Sequence, residues 1–196
     1  MKLVLTACGV INEKLKKDTL KLFDKEPKDI HMLYITTAVD GERDSDLSWV
    51  EEEYQTILDL GILKEHIVEY KIGQEIDVHH FDVIYMMGGN TFYLMSKIRE
   101  YHFDQILKDV INEGIVYIGS SAGSEVIAKS IDAALGFDEN IVGLTDFSGL
   151  GFIDSIIIPH ANKRKEHILE YMKTSKYPVI AIENGDGKII SNNEKL

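Results

Sequence analysis

The chain has 196 residues, 44% of them hydrophobic and 28% charged, with only 3 prolines, which is the composition of one folded domain spanning residues 1–196 rather than of a disordered or collagen-like chain. Its 33 acidic residues outnumber 21 basic ones for a formal charge of −12, which opposes attraction to nucleic acid and to anionic membranes and removes both from the expected partners. A single cysteine, Cys8, excludes an internal disulfide; the apolar run at residues 1–7 is shorter than a signal peptide needs and no apolar stretch nears the ~20 residues of a membrane span, so the expected compartment is the cytoplasm.

Residues 2–7 and 30–38 are β-branched and leucine-rich runs that read as buried strands. Residues 12–23 and 45–60 between and after them carry apolar residues at helical spacing, the second segment closing at Gly61. Strand-like runs follow at 66–72 and 83–87, helix-like ones at 91–99 and 103–113, and a further strand at 115–118 before a helix starting near Ala122. Residues 132–151 form a long irregular segment, of the size that is often functional in a compact domain. A strand at 153–158, a helix at 163–172 and two strands at 179–182 and 188–191 complete the chain. This alternation predicts a three-layer α/β sandwich with a mostly parallel central sheet, whose ligands sit beyond the carboxyl ends of the strands.

Three of those strand ends carry unusual residues. Gly88-Gly89-Asn90-Thr91 follows the strand at 83–87, and its glycines let the backbone turn sharply and present N–H groups to an anion, or simply make a tight turn. Gly119-Ser120-Ser121-Ala122-Gly123 follows the strand at 115–118 and fits the G-x-S-x-G nucleophile elbow, in which Ser121 holds the reactive position and Ser120 the variable one. Pro159-His160 follows the strand at 153–158 and could bring an imidazole to that serine. An acid to orient the histidine could lie between the two, at Asp138, Asp146 or Asp154, or after the next strand, at Glu183 or Asp186. Cys8 also ends a strand, but no basic or histidine neighbour in sequence activates it, so an inert thiol is expected. The adjacent pair His79-His80 points in opposite directions and reads as a solvated turn rather than a metal site. Neither a dinucleotide fingerprint nor a P-loop occurs.

The motifs G-G-N-T-F at 88–92, S-A-G at 121–123, G-L-G-F-I at 149–153 and P-H at 159–160, in this order, resemble the peptidase E type serine peptidases, which include dipeptidase E and cyanophycinase relatives. The resemblance implies a class I glutamine amidotransferase-like fold with serine in place of the amidotransferase cysteine. It implies Ser121 as nucleophile, His160 as general base, and backbone N–H groups of Gly89 and Ala122 as the oxyanion hole. It also places the third triad member in the turn 182–187, on Glu183 or Asp186, while an ungapped alignment puts Asn184 there.

The expected activity is therefore hydrolysis of small peptides, with dipeptides bearing an N-terminal acidic residue as the candidate substrates and no metal or organic cofactor. Asn90, Thr91 and Arg164 are the expected substrate-binding residues, Arg164 because its planar fork suits a carboxylate. Lys163-Arg164-Lys165 is a local positive island in an acidic protein. Assembly as a homodimer is left open. Two other readings use the same residues: a binding protein that lost turnover, and an amidase or esterase.

Overall fold

The computed structural model describes residues 1–43 and 46–191. The first half runs β1 (Lys2–Thr6), α1 (Glu13–Leu20), β2 (Met32–Ile35), α2 (Ser48–Leu58), β3 (Ile67–Tyr70) and β4 (Val83–Met86). The second runs α3 (Thr91–Glu100), α4 (Phe103–Glu113), β5 (Val116–Ser120), α5 (Ala122–Glu125), β6 (Ile156–Ile158), α6 (Lys165–Thr174), β7 (Val179–Ala181) and β8 (Gly187–Ser191). The helix expected from Ser45 begins at Ser48, and Ser45 itself lies outside the described residues.

Six strands form the central sheet in the order β3-β2-β4-β5-β1-β8, parallel except for β8, which runs antiparallel to β1 at the edge. Strand side chains alternate between faces. Leu3, Leu5, Leu33, Ile35, Ile84, Met86 and Tyr117 pack under α3, α4 and α5, while Val4, Met32, Tyr34, Val83, Tyr85 and Ile118 pack against α1 and α2. Both faces of the sheet are thus covered, and the fold is a three-layer α/β sandwich. This double burial is why the strands read as continuous apolar runs rather than alternating ones.

The strand expected at 153–158 is shorter, and it pairs with β7 in a separate two-stranded parallel sheet instead of extending the central one. Pairing starts where Ile156 N–H meets Pro178 O, and Pro178 has no N–H with which to extend the ladder. The long segment at 132–151 is tied down at its end. Gly149 N–H and Leu150 N–H donate to the carbonyls of Lys129 and Val126, and a Cβ on Gly149 would stand 2.1 Å from Ala128 O.

The tightest packing surrounds the elbow. A Cβ on Gly123 would lie 2.0 Å from Met86 O, and one on Gly119 would lie 2.6 Å from Gly123 O. Backbone of α5 therefore rests directly on β4 and β5. Gly123→Ala is expected to cost about 2–3 kcal/mol of unfolding free energy with an unchanged denaturant slope, as an overpacked core does, which urea titration measures.

Candidate active site

Ser121 links β5 to α5 at φ 46° and ψ −113°, a backbone conformation that L-residues avoid. Buried bonds hold it there. Ser121 N–H donates to Thr6 O at 3.0 Å, and the Ser124 hydroxyl bridges β1 and β5 through Thr6 N–H, Thr6 O and Gly119 O. The neighbouring Ser120 is fully buried and accepts the Gly9 amide at 3.2 Å, so its hydroxyl faces away from the cavity that Ser121 lines.

His160 ends β6 in the left-handed region, at φ 55°. Its Nε2 stands 3.1 Å from Ser121 Oγ, and its Nδ1 stands 2.8 Å from Asn184 Oδ1. Parallel pairing of Ile158 with Ala181 sets the ends of β6 and β7 side by side, and Ala161 N–H to Ile182 O extends that register to the histidine. Burial lowers the imidazole pKa below the usual histidine value. The nearby cations Arg164 and Lys163 act in the same direction, against the Asn184 hydrogen bond and the charge of Asp138.

The acids expected to orient His160 make their hydrogen bonds and ion pairs elsewhere, although Asp138 lines the same cavity. Side chains alternate along the extended turn after Ile182, so exposed Glu183 points away and Asn184 comes back to the imidazole. Asp186 lies past the bend, 3.4 Å from Asn12 Nδ2. Asp146 accepts from Ser148, Asp154 pairs with Lys129 at 3.0 Å, and Asp138 accepts the Thr91 amide at 2.7 Å. Among the described residues no carboxylate oxygen is hydrogen-bonded to His160.

The Gly88-Gly89 turn approaches Ser121 closely. A Cβ on Gly88 would be 3.0 Å from Ser121 Cβ, and one on Gly89, at φ 131°, would strike the Ala38 carbonyl at 2.5 Å. Among the described residues no backbone carbonyl takes the N–H of Gly89 or of Ala122. Asn90 and Thr91, expected to bind substrate, are buried, and both side chains are engaged inside the protein. Asn90 caps α3 by accepting Tyr93 N–H at 2.9 Å and donates to Glu139 O, while the Thr91 hydroxyl donates to Glu125 at 3.0 Å.

Ser121, His160, Asn184, Gly88 and Gly89 share a cavity of about 490 Å³ with Cys8, Trp49, Glu52, Glu53, Asp138, Lys163 and Arg164. A larger hollow of about 690 Å³, bordered by Tyr70, Gly73 and Tyr101, holds neither a serine nor a histidine side chain. Arg164 is largely enclosed: its guanidinium lies 3.8 Å above the Phe137 ring and 3.7 Å from Glu125. Lys163 has no carboxylate within 4.0 Å among the described residues. The Cys8 thiol is half-buried and its pKa is pushed up by that burial, as an unactivated thiol's is. His79 and His80 pair with Glu113 and Asp77 on the surface.

Two buried acids escaped the sequence reading. Glu53 on α2 accepts the Tyr85 hydroxyl at 3.0 Å, and burial pushes its pKa up to about 7 against hydrogen bonds from Ser120, Tyr85 and the Gly88 amide. Its signal was present as a charged residue on the apolar stripe Val50, Glu53, Ile57, Leu60. Glu125 on α5 is likewise raised to about 8, by burial and by the charge of Asp138, with Arg164 and Thr91 opposing.

A model of peptidase family S51 matches residues 3–195. The chain belongs to peptidase family S51. An uncharacterized peptidase of Listeria monocytogenes serovar 1/2a is 28% identical over 178 residues, 83% of this chain and 86% of that protein. A second uncharacterized peptidase, from Pasteurella multocida, is 29% identical over 122 residues, 59% of this chain and 58% of its own length. A Peptidase E from Shewanella sp. is 30% identical over 115 residues, covering 53% of this chain and 48% of that one. Several of these curated relatives are thus matched over only about half their length. In three dimensions the S51 chain superimposes on a candidate Peptidase E protein from Listeria monocytogenes EGD-e with a TM-score of 0.82 and 25% identity, over 98% of this chain and 95% of the other. The matched family is one of peptidases. No helix among the described residues is long and apolar enough to cross a membrane.

The two raised acids give the S51 chain a directional pH dependence of stability. Each binds its proton more tightly folded than unfolded, so their contribution is complete below the ordinary 4.5 and is lost as pH rises through about 7 for Glu53 and about 8 for Glu125. Melting temperature should fall across that window. Glu53→Gln, which keeps an acceptor for Tyr85, is expected to reduce the decline below pH 7 to the share of Glu125 and to leave that between about 7 and 8, as read by thermal melts from pH 4.5 to 8.

Proposed function

We propose that this S51 chain cuts short peptides through an acyl-enzyme, with Ser121 as nucleophile and His160 as general base. The observation that carries the reading is the 3.1 Å approach of Ser121 Oγ to His160 Nε2 from a strained elbow. In the attack step the serine oxygen bonds to the peptide carbonyl carbon as its proton passes to Nε2. The carbonyl electron pair moves onto oxygen, where the Gly89 and Ala122 amides would receive it. Collapse breaks the C–N bond, and the imidazolium returns its proton to the leaving amine. Water then repeats the sequence on the ester, releasing the acid and restoring Ser121.

Asn184 takes the third role in this reading. Its amide oxygen accepts Nδ1–H, which leaves the Nε2 lone pair directed at Ser121. A neutral amide fixes the tautomer but stabilises the imidazolium less than a carboxylate would. The lowered histidine pKa complements this, because the imidazole stays in its base form below the usual histidine range.

The cavity supports a small zwitterionic substrate. Its volume of about 490 Å³ lies in the range of small-molecule sites, and its lining holds both cations, Lys163 and Arg164, and carboxylates, Glu52 and Asp138. Of the two cations Lys163 is the freer to meet an acidic N-terminal residue, since Arg164 is engaged by Glu125 and Phe137. A second reading, a binding protein without turnover, is favoured by one observation, the amide at Asn184 where a triad acid would stand.

Ser121→Ala is expected to abolish both dipeptide hydrolysis and labelling by a fluorophosphonate; wild-type protein that binds dipeptides but neither cleaves them nor labels establishes the binding reading instead. A parallel panel of amides and esters detects the amidase or esterase alternative. Asn184→Asp should raise the histidine pKa and move the acid limb of kcat/KM to higher pH, and an unmoved limb removes Asn184 from the imidazole's environment.

A further inference from the structure

Glu125 is a buried carboxyl group that no step of the reaction uses. Its side chain is 3% exposed and is not part of the cavity lining. Burying such a group costs free energy unless its contacts return it; the carboxyl group's contacts reach the segments after two strand ends, and its own backbone ties it to a third. Through its own backbone Glu125 donates to Ser121 O at 3.0 Å, one helical turn after the nucleophile. Its Oε2 accepts the Thr91 hydroxyl at 3.0 Å, two residues past Gly89. Its Oε1 lies at ion-pair distance, 3.7 Å, from the Arg164 guanidinium, four residues past His160.

The long segment after α5 closes these links into a ring. Phe137 lies under the Arg164 guanidinium at 3.8 Å, and the adjacent Asp138 accepts the Thr91 amide at 2.7 Å. Thr91, Glu125, Arg164 and the pair Phe137-Asp138 therefore each touch the next, and the ring passes once through every segment that supplies a reacting group.

We propose that Glu125 is a positioning residue, which holds the serine elbow, the glycine turn and the histidine loop in one mutual geometry. The inference rests on the reading of Ser121 and His160 given above. Because Glu125 does not line the cavity, its loss should act on turnover rather than on substrate binding. Misplacing reacting groups by about 1 Å lowers rates by roughly 100-fold.

The test compares Glu125→Leu, Glu125→Gln and Thr91→Val, alone and combined, with dipeptide hydrolysis, fluorophosphonate labelling and thermal melts as readouts. Glu125→Leu is expected to lower kcat by roughly 30- to 100-fold with KM within about twofold and a cooperative melt retained. Glu125→Gln, which still accepts from Thr91, should recover roughly tenfold of that loss. Thr91→Val should lower kcat in the wild-type background and add nothing to Glu125→Leu, since both break the same ring. Kcat within about threefold of wild type in Glu125→Leu overturns the proposal, as does a KM that rises in step with the fall in kcat, or effects of the two sites that multiply. If Glu125→Leu gives no cooperative melt, Glu125→Gln and Thr91→Val with their double variant carry the same comparison. Wild-type protein that neither cleaves nor labels refutes the catalytic reading itself, an outcome distinct from active wild type with an indifferent Glu125.

Discussion

Ser121 is held where an L-residue does not go of its own accord. A left-handed, strained position costs about 1–3 kcal/mol and persists only where surrounding contacts leave no alternative. Those contacts are specific here: the Thr6 carbonyl on the serine amide, the Ser124 hydroxyl across β1 and β5, and two glycines whose missing side chains let α5 lie on the Met86 carbonyl. The central sheet, its parallel order and the glycine turn after β4 all converge on keeping one hydroxyl at the mouth of the cavity. If the elbow relaxed to ordinary helix or strand geometry, the Ser121 hydroxyl would leave its line with His160 and the Gly88-Gly89 turn would lose its neighbour.

Electrostatics divides the same region into two environments. Glu53 and Glu125 are carboxyl groups withdrawn from water on either side of the elbow, one against β4 and the other against α3. Burial favours their neutral forms, and the same burial favours a neutral imidazole at His160. An acidic protein of charge −12 thus keeps these three titrating groups near neutrality around its nucleophile, while its net charge is distributed over solvated surface.

Much of the scaffold was legible in the sequence for a simple reason: strands buried on both faces are continuous apolar runs, and turns that require bare backbone carry glycine. The elbow at 119–123, the glycine turn at 88–91 and the histidine after β6 all announce themselves in this way. Asn184 was reached only by an ungapped alignment beside Glu183 and Asp186, because which residue of a turn faces a neighbour depends on strand register, and the chemistry expected of a triad drew attention to the acids on either side. Asn90 and Thr91 looked like ligands since polar residues at strand ends often are, yet the first turn of α3 consumes both as cap and anchor. Glu125 was illegible for the opposite reason. An acid in the first turn of a helix is ordinarily a solvated one, and only the return of distant segments encloses it.

The second sheet has a consequence for how such a site can change. His160 follows β6 and Asn184 follows β7, and neither strand is part of the central sheet that leads to Ser121. The base and its partner are therefore carried on strands outside that sheet and meet the elbow through side-chain contacts, Ser121 with His160 and Glu125 with Arg164. Residues in the turn after β7 can be exchanged, amide for acid or the reverse, without touching any of the close contacts that strain the elbow. The basicity of the imidazole is thereby set from a turn that makes none of the contacts straining the serine.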